Sequence, residues 1–222
     1  MNENIVIVSG LPRSGTSMMM KMLEAGGIGV IIDNIRKADE DNPKGYYEFE
    51  DVKRIKEDVS WLRDAHGKAV KMVSMLLYEL PSTYNYKIIF MCRGIGEILA
   101  SQRKMLERKG EKNIPADDEM GRLYDKHLRE IEEWLGKQTN IKVIYLQYRD
   151  VLDTPHESAK KIVRFLNAPL DLEKMAQAVD KTLYRNKNAP DPLSEAGPNA
   201  EDSPESGDNE SIEAQLKALG YM

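Results

Sequence analysis

Residues 5–17, IVIVSGLPRSGTS, constrain this chain more than any other stretch. An apolar run must end near Ser9, the backbone must turn between Gly10 and Gly15, and a helix must open at Thr16. A strand, glycine-bounded loop and helix in that order aim unpaired N–H groups and the positive end of a helix dipole at one point. Glycine suits the two loop ends, where the backbone takes positive φ or approaches a ligand closely. Arg13 adds a cation, and Ser14, Thr16 and Ser17 add hydroxyls. Gly10, Pro12, Arg13, Ser14, Gly15, Thr16 and Ser17 are therefore candidate anion-binding residues.

Further strand-like runs at Ala69–Ser74, Tyr86–Cys92 and Ile141–Gln147, and a weaker one at Ile28–Ile32, alternate with helical patterns. Near-continuous apolar strands separated by helices predict an α/β fold: a three-layer arrangement with a central, mainly parallel sheet of about five strands flanked by helices. Helices are expected over about 16–25, 48–65, 96–109 and 117–137, from Pro155 onward, and after Asp171. Thr154-Pro155-His156-Glu157 reads as a capping box with proline at the first helical position. Among the histidines, His66 is expected at an exposed helix end, and His127 and His156 on exposed helix faces.

Composition divides the chain. Residues 188–222 hold eight acids against one base, a net −7, so the overall −5 leaves about +2 on residues 1–187. That balance suits one small anion and lacks the basic excess of a nucleic-acid surface. We expect a domain over 1–187, a disordered acidic linker over 188–210, where four prolines accumulate, and a short helix or tail over 211–222. No apolar run reaches the ~20 residues of a membrane span. The lone cysteine, Cys92, makes a reducing cytoplasm the expected compartment.

The phosphate-binding pattern G-x-x-x-x-G-K-S/T has lysine where this chain has Thr16, and the strand YKIIFMC is followed by Arg93 instead of a metal-binding acid. Cations with no evident metal ligand suggest transfer of an anionic group without a metal. At this point GLPRSGTS and CRGIGEILASQRK together resemble the PAPS-dependent sulfotransferases of the P-loop fold, bacterial members in particular. The first segment is similar to the family's loop for the 5′-phosphosulfate of PAPS (3′-phosphoadenosine 5′-phosphosulfate). The second is similar to its 3′-phosphate segment, with Arg93 and Ser101 at the family spacing. DNPKGYYEFEDV and YRDVLDTP add to the resemblance, which covers about residues 4–187.

The resemblance implies sulfuryl transfer from PAPS to a hydroxyl or amine. Arg13 would stabilise the bridging oxygen, Gly15, Thr16 and Ser17 would hold the 5′-phosphate, and Arg93 and Ser101 the 3′-phosphate. It also implies PAPS as co-substrate and no metal. Animal cytosolic members carry Lys-x-His after their third strand; here Lys71 matches the lysine, but Val73 replaces the histidine. Glu48, in a loop beside Tyr46 and Tyr47, is the first candidate for the base, ahead of Glu50, Asp33 and Asp39. Arg185 stands in for a missing C-terminal 3′-phosphate contact. The acceptor is a small molecule, carbohydrate or lipid that the sequence does not name, and oligomeric state is not legible. A kinase with a divergent P-loop, or a non-catalytic nucleotide-binding protein, is the alternative.

Overall fold

The computed structural model describes residues 4–33, 35, 45–112, 114–183 and 206–222. Strands β1 (Ile5–Ser9), β2 (Ala69–Lys71), β3 (Tyr86–Cys92) and β4 (Ile141–Gln147) form one parallel sheet in the order β2-β1-β3-β4. β1 is central because its side chains are apolar on both faces, and every residue of it is buried. Ile5 and Ile7 face a core shared with α2 (Ile95–Arg108), α3 (Asp117–Gly136) and α7 (Ser206–Leu219). Val6 and Val8 face a second core with α1 (Thr16–Ala25), α5 (Pro155–Leu166) and α6 (Leu172–Gln177). Two apolar faces covered by helices make three layers. Among the described residues no helix is long and apolar enough to cross a membrane.

The expected fifth strand is reduced to a bridge. Val30 pairs with Ala69 in parallel, and the bonds Ala69 N–Gly29 O (2.8 Å) and Ile31 N–Ala69 O (2.9 Å) run beside β2. β2 itself stops at Lys71 rather than at Ser74. The chain still follows β1, since Met72 N–H donates to Val8 (3.0 Å) and Ser74 N–H to Gly10 (3.1 Å), before a 3-10 turn over Ser74–Glu79.

The helix expected over 48–65 is two 3-10 segments, Glu50–Arg54 and Ser60–Ala65. Asp58 breaks the run: its side chain accepts the Ser60 N–H at 2.8 Å, a local bond that competes with helix continuation. Val52, Ile55 and Leu62 are buried while Val59 is 38% exposed, so the apolar residues at helical spacing over 48–65 do not all face the core. Thr154 does not cap α5 with its side chain; its Oγ1 donates to the Asp150 carbonyl (2.9 Å) of α4 (Tyr148–Asp153). α7 begins at Ser206, ahead of the helix expected from 211, so the expected linker to 210 overlaps its first turn.

His127 is the clearest correction on α3. It is 2% exposed, on the core face with Tyr124 and Ile131, and its Nε2 lies 2.8 Å from the Ser74 hydroxyl. The core stripe runs Met120, Tyr124, His127, Ile131, Leu135, so a polar ring occupies a position that hydrophobicity alone assigns to solvent. Burial pushes its pKa down from 6.5 to about 4. The folded chain therefore resists a proton that the unfolded chain accepts near the ordinary value. Stability from this group is complete above about pH 6.5 and declines as pH falls toward about 4, by at most about 3 kcal/mol. His127→Gln, which can still reach Ser74, should flatten this part of the pH dependence of urea unfolding midpoints between about pH 7 and pH 4.5. Equal acid slopes in both proteins would contradict the assignment.

Candidate functional site

The loop after β1 is built on backbone geometry that its residues dictate. Gly10 has φ 143°, Arg13 φ 76° and Gly15 φ 103°. A Cβ on Gly10 would stand 2.6 Å from the Met91 carbonyl oxygen, and one on Gly15 would stand 2.4 Å from Cδ2 of Tyr148. Both glycines are thus required by contact as well as by φ. Gly15 is the N-cap of α1 and has no side chain to satisfy the first N–H groups, which leaves the helix start as a donor cluster. Ser9 and Ser14 are fully buried, and their hydroxyls have no hydrogen-bond partner among the described residues. Hydroxyls without a partner beside a loop that ends in open helix N–H groups are donors that fit an anionic phosphate.

The segment after β3 closes on this loop. Arg13 Nε donates to the Ser101 hydroxyl at 3.0 Å, and Arg93 Nη1 donates to the Arg13 carbonyl at 2.9 Å. Arg93 Nε pairs with Glu97 at 2.8 Å, and its guanidinium lies over the Tyr148 ring, 4.5 Å from the centroid. Tyr148 therefore packs between Gly15 and Arg93, where burial raises its pKa and the neighbouring Arg93 and Arg13 partly offset the rise. Beneath the loop, Gln102 Nε2 donates to the Pro12 carbonyl at 3.1 Å. The Gln102 Oε1 accepts from Tyr124 (2.9 Å) and from Gln215 of α7 (3.2 Å).

A second arm of the site surrounds Lys71 at the end of β2. Lys71 Nζ lies 3.2 Å from Glu48 Oε1, and the two side chains are 3% and 6% exposed. It also donates to the Tyr46 carbonyl, which accepts the Ser17 hydroxyl at 3.0 Å. One carbonyl thus connects the start of α1 to the lysine. A buried charge pair holds only when its partners satisfy both ions, and loss of either partner strands the other. Glu48, Lys71, Val73 and Tyr221 line one cavity. His127 is not among its described lining residues.

Of the residues singled out in the sequence, Gly10, Pro12, Arg13, Ser14, Gly15, Thr16, Ser17, Arg93 and Ser101 lie in or against one loop. Glu48 and Lys71 form the adjoining pair. Arg185 and Asp39 lie outside the described residues. Asp33 accepts the N–H groups of Ile35 (2.9 Å) and Glu50 (2.6 Å), so it shapes the loop, and Glu50 pairs with Lys53 at 2.8 Å. His66 is exposed, and His156 pairs with Glu173 at 2.6 Å. Burial pushes the half-buried Cys92 thiol up to about 11. No group of three or more His, Cys, Asp and Glu is placed to hold a metal among the described residues.

Tyr148, Gln102, Tyr46 and Tyr221 were not singled out by sequence. The signal available for Gln102 was a polar residue inside the apolar stripe of α2, next to Ser101.

Among the solved structures similar to this chain are three sulfotransferases. The sulfotransferase domain from the curacin biosynthetic pathway aligns at TM-score 0.50 and 13% identity, covering 96% of this chain and 97% of its own. The sulfotransferase domain of the Synechococcus PCC 7002 olefin synthase aligns at TM-score 0.53 and 12% identity, covering 96% and 94%. Mouse sulfotransferase SULT7A1, solved with PAP, aligns at TM-score 0.52 and 16% identity, covering 99% and 86%. At these identities the likeness concerns the fold. No curated protein sequence matches the chain. The family profile described as Sulfotransferase domain matches residues 3–195. It favours sulfuryl transfer over the phosphoryl-transfer alternative, and its span agrees with a loop built to hold an anion without the P-loop lysine. The chain belongs to the sulfotransferase domain family and is an enzyme of the sulfuryl-transferring class.

Proposed function

We propose that this sulfotransferase uses PAPS as donor and delivers the sulfuryl group to a hydroxyl or amine of a small acceptor in the cavity beside Lys71. The observation that carries this is the meeting at Arg13, where Ser101 takes its Nε and Arg93 takes its carbonyl. Two cations and a hydroxyl from segments far apart in the chain gather at one loop, as a nucleotide with phosphates at both ends requires. PAP bound to the mouse relative supports the same donor class.

PAPS supplies a sulfuryl group joined to a phosphate that leaves as an anion. The N–H groups of Gly15, Thr16 and Ser17, with the α1 dipole, hold the 5′-phosphate, and Pro12 and Ser14 shape the loop around it. Arg13 is placed to stabilise the charge that grows on the bridging oxygen as the bond to sulfur breaks. Arg93 and Ser101 hold the 3′-phosphate, and Arg185 remains a candidate for the same phosphate. Glu48 takes the acceptor proton as the new sulfur–oxygen bond forms, and Lys71 keeps its carboxylate oriented. Glu48 lines the same cavity as Val73, where animal relatives place histidine. The single cysteine supports a reducing, cytoplasmic compartment.

Calorimetry should rank adenosine 3′,5′-bisphosphate above 5′-AMP and above ATP with magnesium. Arg93→Ala should weaken bisphosphate binding by about tenfold or more, as loss of a charged hydrogen bond does. 5′-AMP should lose less, because only its prop on the Arg13 carbonyl is gone. Tighter binding of ATP with magnesium, or equal losses for the two adenosine ligands, would contradict the donor assignment. Glu48→Gln should retain bisphosphate affinity and lower transfer of radiolabelled sulfate from PAPS, across a panel of hydroxyl and amine acceptors, by about 10²-fold or more. Undiminished transfer would remove Glu48 from the base role.

A further inference from the structure

The C-terminal helix reaches the reaction centre. Its sequence ends in Leu219-Gly220-Tyr221, and the backbone follows the glycine-capped pattern: Gly220 has φ 85°, its N–H donates to Lys217 (2.9 Å), and the Tyr221 N–H donates to Leu216 (2.9 Å). A cap with both bonds fixes the direction in which the residue after glycine leaves the helix. Tyr221 leaves toward the cavity. It is 8% exposed, and its ring centroid lies 5.4 Å from Lys71 Nζ, on the ion pair that contains Glu48.

α7 is anchored where this placement needs it. Ile212, Leu216 and Leu219 are at most 1% exposed in the core with α2 and α3. Gln215 donates to Gln102, which in turn holds the Pro12 carbonyl of the donor loop. Lys126 of α3 pairs with Asp208, and Lys109, just past the end of α2, donates to the Ala218 carbonyl at 3.0 Å. The donor loop and Tyr221 are thus referenced to the same buried glutamine.

The rest of the lining is mainly apolar: Phe49, Val52, Val73 and Leu76 join Tyr221, while its charged groups are the buried Glu48–Lys71 pair and the partly exposed Lys53, which pairs with Glu50. The free space between these side chains is small in this structure, so the fit of an acceptor is sensitive to the wall that Tyr221 forms. A lining with so few polar groups penalises an acceptor that carries many hydroxyls, because most of them would lose water without a new partner.

We propose that Tyr221 is a specificity-determining residue of the acceptor site, and that the site it closes takes a compact, mainly apolar molecule presenting one hydroxyl to Glu48. Its role rests on the acceptor-site assignment made above. The aromatic ring contributes a wall and a cation–π contact with Lys71, so Tyr221→Phe keeps both, whereas Tyr221→Ala opens the wall.

The test is calorimetry on the full chain saturated with adenosine 3′,5′-bisphosphate, titrated with phenol, 2-naphthol and glucose. Wild type should bind phenol and leave glucose unbound. Tyr221→Ala should raise the ratio of 2-naphthol to phenol affinity about tenfold, the scale of discrimination in an apolar pocket, while Tyr221→Phe leaves it within about twofold. Bisphosphate affinity within about twofold of wild type reports an intact fold; where Tyr221→Ala fails that criterion, Tyr221→Leu is read instead. An unchanged ratio in the variant that passes, or glucose bound in preference to both alcohols, overturns the proposal. So does the absence of alcohol binding when the bisphosphate binds. Failure of wild type to bind the bisphosphate instead overturns the donor assignment, and this proposal with it.

Discussion

Arg13 is held from two directions, and the rest of the site depends on that. Its backbone sits at φ 76°, a left-handed conformation that side chains seldom adopt. Arg93 takes its carbonyl and Ser101 takes its Nε, so the strained loop is secured by Ser101 within α2 and by Arg93 just after β3. Because β3 lies beside β1 in the sheet, with Ser9 in register with Phe90, the two segments emerge from adjacent strands at the same edge. Parallel pairing therefore does the gathering, and the loop needs few residues of its own. This is the usual advantage of the carboxyl edge of a parallel sheet.

The proposed acceptor side uses the same edge one strand further out. Lys71 ends β2, which pairs with β1 through Val8. The Tyr46 carbonyl then receives both the lysine and the Ser17 hydroxyl. Ionic groups this deep are costly to bury, and the fold keeps them only as a closely matched pair. Glu48 and Lys71 consequently form one unit, with the carboxylate oriented at the cavity while the lysine ties it to the donor loop. α7 completes the wall from the far side and leans on Gln102, so the β1–α1 loop and the cavity wall share a small set of buried polar contacts.

The fold and the meeting of the two segments were legible because they are local. The β1–α1 loop, Arg93 and Ser101 lie in two short segments whose order and spacing can be read directly, and the strands around them are apolar runs that suit a covered parallel sheet. What could not be read depends on contacts between distant segments. Tyr148 carries no local signal, yet it fills the space that makes glycine obligatory at position 15. His127 was assigned to solvent because it is polar, and only the proximity of Ser74 explains its burial. The helix expected over 48–65 failed because periodicity ignores the bond from Asp58 to the Ser60 N–H. Tyr221 gave no signal beyond a glycine-terminated helix, since its significance lies in a lysine far back in the chain.

A crystal structure of the chain with adenosine 3′,5′-bisphosphate tests the central claim most directly. The account places the 5′-phosphate on the N–H groups that open α1 and the 3′-phosphate against Arg93 and Ser101, with the open 5′ end facing Glu48 and Tyr221. A bisphosphate bound in the reverse sense, or seated away from Arg13, would contradict it.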